Sequence, residues 1–147
     1  MYAPSSAIAY AHRFAHSRNP AYANFDKLGG DCTNFISQCL HAGGLPLDYQ
    51  KDTGWYFNSL NDRAAAWSGV NFLYKWLMRK NYAIETSKEK TALGSVIQLS
   101  FDGLTFAHSL LVVETKPAIL IATHTLDGDN RPLSSYNFLK ARYLHIK

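Results

Sequence analysis

The stretch Gly29-Gly30-Asp31-Cys32-Thr33-Asn34-Phe35-Ile36-Ser37-Gln38-Cys39-Leu40-His41-Ala42-Gly43-Gly44 decides how this chain is read. Phe35, Ile36, Cys39 and Leu40 recur at helical spacing between two pairs of glycines. The pattern predicts a helix from residue 31 to about 42. Asp31 suits the N-cap, because its carboxylate can accept from the free N–H groups of the first turn, and Gly43-Gly44 supplies the stop. Cys32 then opens the helix. Thiols react as thiolates, and the uncapped N–H groups and helix dipole favour negative charge at that point. The same N–H groups can donate to the oxyanion formed when an amide carbonyl is attacked. Gly29 and Gly30 let backbone and substrate approach closely. Asp31 opposes the activation, and its side chain is expected to be committed to the cap. Cys32 is therefore the candidate nucleophile, with Asp31 beside it at the substrate-binding end. The plain alternative is a small buried hydrophobe, the role assigned to Cys39. At about 1.5 Å per residue the two sulfurs stand roughly 10 Å apart along one helix, beyond the Cα separation of about 7 Å that a disulfide allows.

Working outward, residues 5 to about 17 predict a helix capped by Ser5 or Ser6 and ended by Asn19-Pro20. Residues 45–61 are turn-rich and read as a long loop laying Trp55, Tyr56 and Phe57 over the structure, with Trp55 a candidate substrate-binding residue. Residues 68 to about 79 predict a further helix, with Val70, Leu73, Tyr74 and Leu77 inward. After Gly94 the pattern changes to short β-branched and aliphatic runs at 95–99, 108–114, 118–125 and 141–146, with a turn at Lys116-Pro117. Helices first and strands second, with short connections between the strands, predict an α+β fold whose N-terminal helices pack on an antiparallel sheet of about four to five strands.

A nucleophilic thiol needs a base. His108 opens an apolar strand, Phe106-Ala107-His108-Ser109-Leu110-Leu111-Val112-Val113, where it can face a helix terminus packed on the sheet. A satisfied structural histidine is the alternative. His124 lies near the end of the next run, and in the simplest hairpin through Lys116-Pro117 it stands opposite His108. That would make it the group orienting the base. Asp127 is a second candidate for that role, against a reading as a turn residue in Leu126-Asp127-Gly128-Asp129-Asn130. His12 and His16 are four apart on a helix, but nothing nearby completes a metal site. A zinc site from Cys32, His108 and His124 lacks the usual short paired spacings.

The chain has 147 residues, 47% apolar and 18% charged, a composition for one compact domain. Nine Tyr, eight Phe and three Trp suggest a core or cleft built from flat side chains. The net charge of +4 favours anionic partners. The densest basic group, Arg79, Lys80, Lys88 and Lys90, is interrupted by Glu85 and Glu89, which describes a solvated face rather than a nucleic-acid groove. No apolar run is long enough for a transmembrane segment, and no signal peptide is recognised. Two unbridged cysteines do not fix a compartment.

The string from 29 to 44 resembles the signature of the putative amidase domain family, which is found in bacterial proteins and related to the NlpC/P60 and papain-like cysteine peptidases. The likeness continues through residues 9–11, Tyr22, Phe25, Trp55, residues 94–98, Ala107-His108-Ser109 and His124-Thr125. Ser95 departs from the related pattern, which has Asp there. The resemblance implies a papain-like core, Cys32 as nucleophile, His108 as general base, His124 as the third polar residue, and no cofactor. It also implies a peptide or amide substrate, with peptidoglycan-derived peptides leading and an extracellular or envelope location. Acyl transfer at the same site, and an inactive peptide- or glycan-binding module on the same fold, are the rival expectations.

Overall fold

A computed structural model describes all 147 residues. The chain opens with α1 (Pro4–Phe14) and α2 (Cys32–Ala42), then a small hairpin of β1 (Phe57–Ser59) and β2 (Asp62–Arg63). Next come α3 (Ala65–Ser68), α4 (Val70–Arg79) and β3 (Ala83–Thr86). The remaining strands are β4 (Val96–Ser100), β5 (His108–Glu114), β6 (Leu120–Thr123), β7 (Gly128–Pro132) and β8 (Lys140–Ile146). Six strands form one antiparallel sheet in the order β3-β8-β4-β5-β6-β7. The α+β class and the antiparallel sheet agree with the sequence reading, but the sheet has six strands rather than four to five.

The two additional strands, β3 and β7, are its edges. An edge strand needs no buried alternation and tolerates proline, so Gly128-Asp129-Asn130-Arg131-Pro132 carries no strand signal and reads as turn. The helix expected from residue 68 instead begins at Val70. Gly69 is extended (φ −110°, ψ 128°) and separates α3 from α4, and a Cβ there would meet Phe72 Cδ2 at 2.9 Å and the Ala65 carbonyl oxygen at 3.0 Å.

Strand alternation builds two cores. Val96, Leu111, Val113, Ala122, Leu144 and Ile146 face the helices and join the main cluster with Phe35, Ile36, Leu40, Leu73 and Leu77. Ile97, Leu99, Leu110, Val112 and Ile121 face the other way and are covered by Leu133, Tyr136, Phe138 and Tyr143. β4 and most of β5 are therefore buried on both sides.

α2 is the central helix, and every residue from Cys32 to Leu40 is buried. Its polar side chains are sealed in as well and find partners there, as buried polar groups must. Asn34 Oδ1 accepts from Trp67 Nε1 at 2.9 Å, and Asn34 Nδ2 donates to the Ala23 carbonyl at 2.9 Å. Gln38 Oε1 accepts from the Tyr10 hydroxyl at 2.5 Å. Ser37 Oγ donates to the Trp67 carbonyl at 2.8 Å and accepts from Trp55 Nε1 at 3.0 Å. Trp55 lies between Trp67 and Trp76, with ring centroids 4.8 and 4.7 Å away, and all three are fully buried. Trp55 thus fastens its loop to the back of α2 and, contrary to the expectation from sequence, presents no face to a substrate.

Ser37→Ala should strand the Trp55 indole N–H and the Trp67 carbonyl together. Urea denaturation should then show a loss of about 1–3 kcal/mol; an unchanged midpoint would mean that these bonds contribute nothing net.

Candidate active site

The site assembles around the first turn of α2. Gly29 and Gly30 both have left-handed backbone (φ 94° and 107°), which glycine alone adopts without strain. At Gly30 a Cβ would stand 3.1 Å from Thr125 Oγ1, the atom that accepts from the Asp31 backbone N–H at 3.0 Å. The glycines therefore let the turn after β6 dock on the helix start. Asp31 follows and is completely buried.

The Asp31 carboxylate does not cap α2, which corrects the expectation from sequence. Its Oδ1 accepts from the Phe25 backbone N–H at 2.8 Å and from Asn34 Nδ2 at 2.9 Å. Its Oδ2 lies 2.5 Å from His124 Nδ1 and 3.5 Å from Arg18 Nε. Arg18 also donates to Asp127 at 2.9 and 3.0 Å and to Asp26 at 3.0 Å. A buried carboxylate without such donors would be strongly unfavourable, so this network is structural. Asp31 has no surface left for a substrate.

His124 belongs to the same network and not to His108. Its Nδ1 faces Asp31, its Nε2 is 2.7 Å from the Phe14 carbonyl, and its ring stacks on Phe35 with centroids 3.9 Å apart. The cause is register. Leu111 pairs with Ala122 and Val112 with Ile121, one residue away from the symmetric hairpin. A one-residue slip exchanges the two faces of a strand. The side chain beside His108 is therefore that of Thr123, whose Oγ1 is 3.4 Å from His108 Nε2 while donating to the Ser109 carbonyl at 3.0 Å. Asp127, the second candidate, is held by Arg18.

Cys32 and His108 are both buried, each 7% exposed. Ser109 links them. Its hydroxyl is 2.9 Å from Thr33 Oγ1, the neighbour of Cys32, and its backbone N–H favours the charged form of the Cys32 sulfur. The thiol's side-chain partner is the Thr33 hydroxyl at 3.8 Å; it is not hydrogen-bonded to the imidazole. The His108 ring sits between Tyr136 (centroids 5.7 Å apart) and Phe101 (6.4 Å apart).

The electrostatics differ from the activated thiol expected of a helix terminus. Burial raises the Cys32 thiol above its ordinary value, and the Asp31 carboxylate adds to the rise. The backbone N–H of Ser109, with the hydroxyl and N–H of Thr33, pulls the other way and does not overcome burial. Burial lowers His108 to about 4, assisted by the Arg131 charge. Near neutral pH the resting pair is thus a neutral thiol and a neutral imidazole. Cys39 is completely enclosed, and burial drives its thiol far up.

Sequence reasoning missed Arg18, Thr123 and Tyr136. Thr123 follows from the register alone, but Arg18 and Tyr136 sit in irregular segments with no local signal. His12 pairs with Asp129 at 2.8 Å. No three His, Cys, Asp or Glu side chains are grouped so as to hold a metal ion, and no helix is long and apolar enough to cross a membrane.

Among proteins of known sequence, the chain is 35% identical over 114 residues to the uncharacterized protein YhbB of Bacillus subtilis (strain 168). The match takes in 73% of this chain and 35% of that relative, so the chain spans about a third of its length. No solved structure matches. The family described as the putative amidase domain matches residues 1–146, nearly the whole chain. A buried helix that begins with cysteine and packs against a histidine-led strand is what that match joins together, and the chain belongs to the putative amidase domain family.

Proposed function

We propose that this domain is a cysteine-nucleophile amide hydrolase, with Cys32 as the attacking group and His108 as the proton carrier on a papain-like core. The observation that carries the reading is the shared corner formed by the α2 start and the β5 start, where Ser109 binds the Cys32 turn and His108 is the adjacent residue. His124 has both ring nitrogens engaged elsewhere, which leaves His108 as the base.

The resting pair is neutral, so attack and proton transfer proceed together. The Cys32 thiol proton passes to His108 as sulfur bonds to the amide carbon, and the carbonyl π electrons move onto oxygen. Free N–H groups of the α2 first turn, including that of Cys32, face the developing charge. The oxyanion collapses, the C–N bond breaks, and His108 gives its proton to the departing amine. Water then attacks the thioester while His108 takes its proton, the C–S bond breaks, and the thiol is restored. Arg131 lies close enough to lower His108, a cation at the site that suits carboxylate-bearing peptides such as those of the bacterial envelope. Acyl transfer differs only in an amine replacing water.

The rival reading, a binding module, draws support from the raised thiol and the missing Cys32–His108 hydrogen bond. Of the Trp55, Tyr56 and Phe57 grip expected of it, Trp55 is fully buried, while Tyr56 and Phe57 are half-buried. Incubating wild type and Cys32→Ala with peptide amides and peptidoglycan-derived peptides, with and without added acceptor amines, and reading products by mass spectrometry separates these outcomes. Products from wild type alone are expected. Equal behaviour of the two proteins would leave the binding module.

The two histidines should behave differently when changed. His108→Gln should abolish hydrolysis and leave stability at pH 7 unaltered. His124→Gln should destabilise the fold by about 3–5 kcal/mol, by leaving Asp31 buried without its partner.

The pH dependence has a defined sign. His108 is neutral in the folded protein down to about 4, so kcat/KM should fall as pH drops through about 4 rather than near 6.5. The unfolded chain binds that proton from its ordinary value of 6.5, so the wild type should lose on the order of 3 kcal/mol between pH 6.5 and 4. His108→Gln should escape this loss in denaturation measured across that range.

Iodoacetamide should alkylate Cys32 slowly at pH 7, with a rate still climbing above pH 9, and should reach Cys39 only on unfolding. Fast labelling at pH 7 would contradict a neutral resting thiol.

A further inference from the structure

Only two buried side-chain N or O atoms in the chain lack a hydrogen-bond partner, Ser95 Oγ and the Tyr136 hydroxyl. Native structures leave few such groups, and each calls for a cause. Ser95 stands at the start of β4, where its carbonyl accepts from the Val112 backbone N–H, four residues along β5 from His108. Tyr136 is at the site. It follows the short turn Leu133–Ser135, and its ring lies 5.7 Å from that of His108. Arg131 lies over the ring, with its guanidinium carbon 3.9 Å from the ring centroid and its Nε donating to Ser135 Oγ at 2.8 Å. Burial raises the Tyr136 phenol, the Arg131 charge opposes the rise, and a charge on Cys32 would add to it. A held ring therefore carries a desolvated O–H without an acceptor beside the His108 imidazole, within electrostatic reach of the Cys32 thiol.

We propose that the Tyr136 hydroxyl donates a hydrogen bond to the oxyanion formed when Cys32 attacks an amide carbonyl, complementing the backbone N–H groups of the α2 first turn. This rests on the hydrolase reading of the same site. The phenolic proton remains on Tyr136 throughout. The S–C bond forms, the carbonyl π electrons become the oxyanion lone pair that accepts from Tyr136, and the thiol proton goes to His108. When the C–N bond breaks, the lone pair re-forms the carbonyl and the hydrogen bond is released. Burial raises the phenol above its ordinary value, so the group stays protonated across the working range. A donor without a ground-state partner breaks no existing hydrogen bond when charge develops, which is the condition for differential stabilisation of the transition state.

The test is Tyr136→Phe, which removes the hydroxyl and keeps the ring against His108 and Arg131. Its kcat on a peptide amide should fall by about 10²-fold. The rate of Cys32 alkylation by iodoacetamide, a displacement that makes no oxyanion, should not change. The melting temperature should hold or rise, because the hydroxyl lost had no partner. A peptide aldehyde supplies a readout free of turnover. It adds the Cys32 sulfur to its carbonyl and places a tetrahedral oxygen at the same point, so Tyr136→Phe should bind it more weakly by a comparable factor.

Unchanged kcat and aldehyde affinity in Tyr136→Phe, with hydrolysis that depends on Cys32, would overturn this inference alone. A joint fall of turnover, alkylation rate and melting temperature would mark Tyr136 as structural and also overturn it. A wild type that neither cleaves amides nor forms the aldehyde adduct would remove the hydrolase reading, and the inference with it.

Discussion

The buried Asp31 carboxylate is the constraint on which the rest depends. Three hydrogen-bonding groups converge on it, the Phe25 amide, the Asn34 amide side chain and the His124 ring, and the Arg18 guanidinium adds an ion pair at 3.5 Å. None of these alone would repay the loss of water around a buried charge; together they do. The effect is positional. The loop before α2, the helix itself and the turn after β6 are drawn to one point, and the start of β5 meets the helix start there through Ser109 and Thr33.

This explains how the site can hold a residue that works against its own chemistry. A carboxylate next to a thiol opposes thiolate formation, and Asp31 adds to the upward shift that burial imposes on Cys32. The arrangement suits a reaction in which the thiol gives up its proton only as it attacks. His108 is kept neutral by burial and by Arg131, the state in which the proposed mechanism has it accept that proton. A helix N-terminus favours negative charge, but at a site this enclosed, desolvation is the larger effect.

The sequence carried the fold well where burial is periodic. The α2 boundaries, the apolar stripe of Phe35, Ile36, Cys39 and Leu40, and the strands around β4, β5 and β8 were all legible. It carried less where packing is decided from outside the segment. The edge strands β3 and β7 have one neighbour each and no alternation to announce them. The string at 29–44 pointed to the putative amidase domain family, which matches residues 1–146, and it underlies the proposal for Cys32 and His108. The role expected of His124 failed on a single-residue difference in hairpin register, which no local pattern specifies. Trp55 read as exposed because its loop is polar, and the indole slot between Trp67 and Trp76 exists only once α3 and α4 have folded together.

The enclosed polar stripe of α2 has a consequence for how the motif should be used. Thr33, Asn34, Ser37 and Gln38 each satisfy a partner brought from another element. They are joints of the scaffold, and their demand for those residue types is the same whether or not a sulfur stands at position 32. A chain with the whole string intact but alanine in that place would be expected to assemble the same architecture. The string therefore speaks for shape, while the proposed reactivity rests on the single sulfur at position 32.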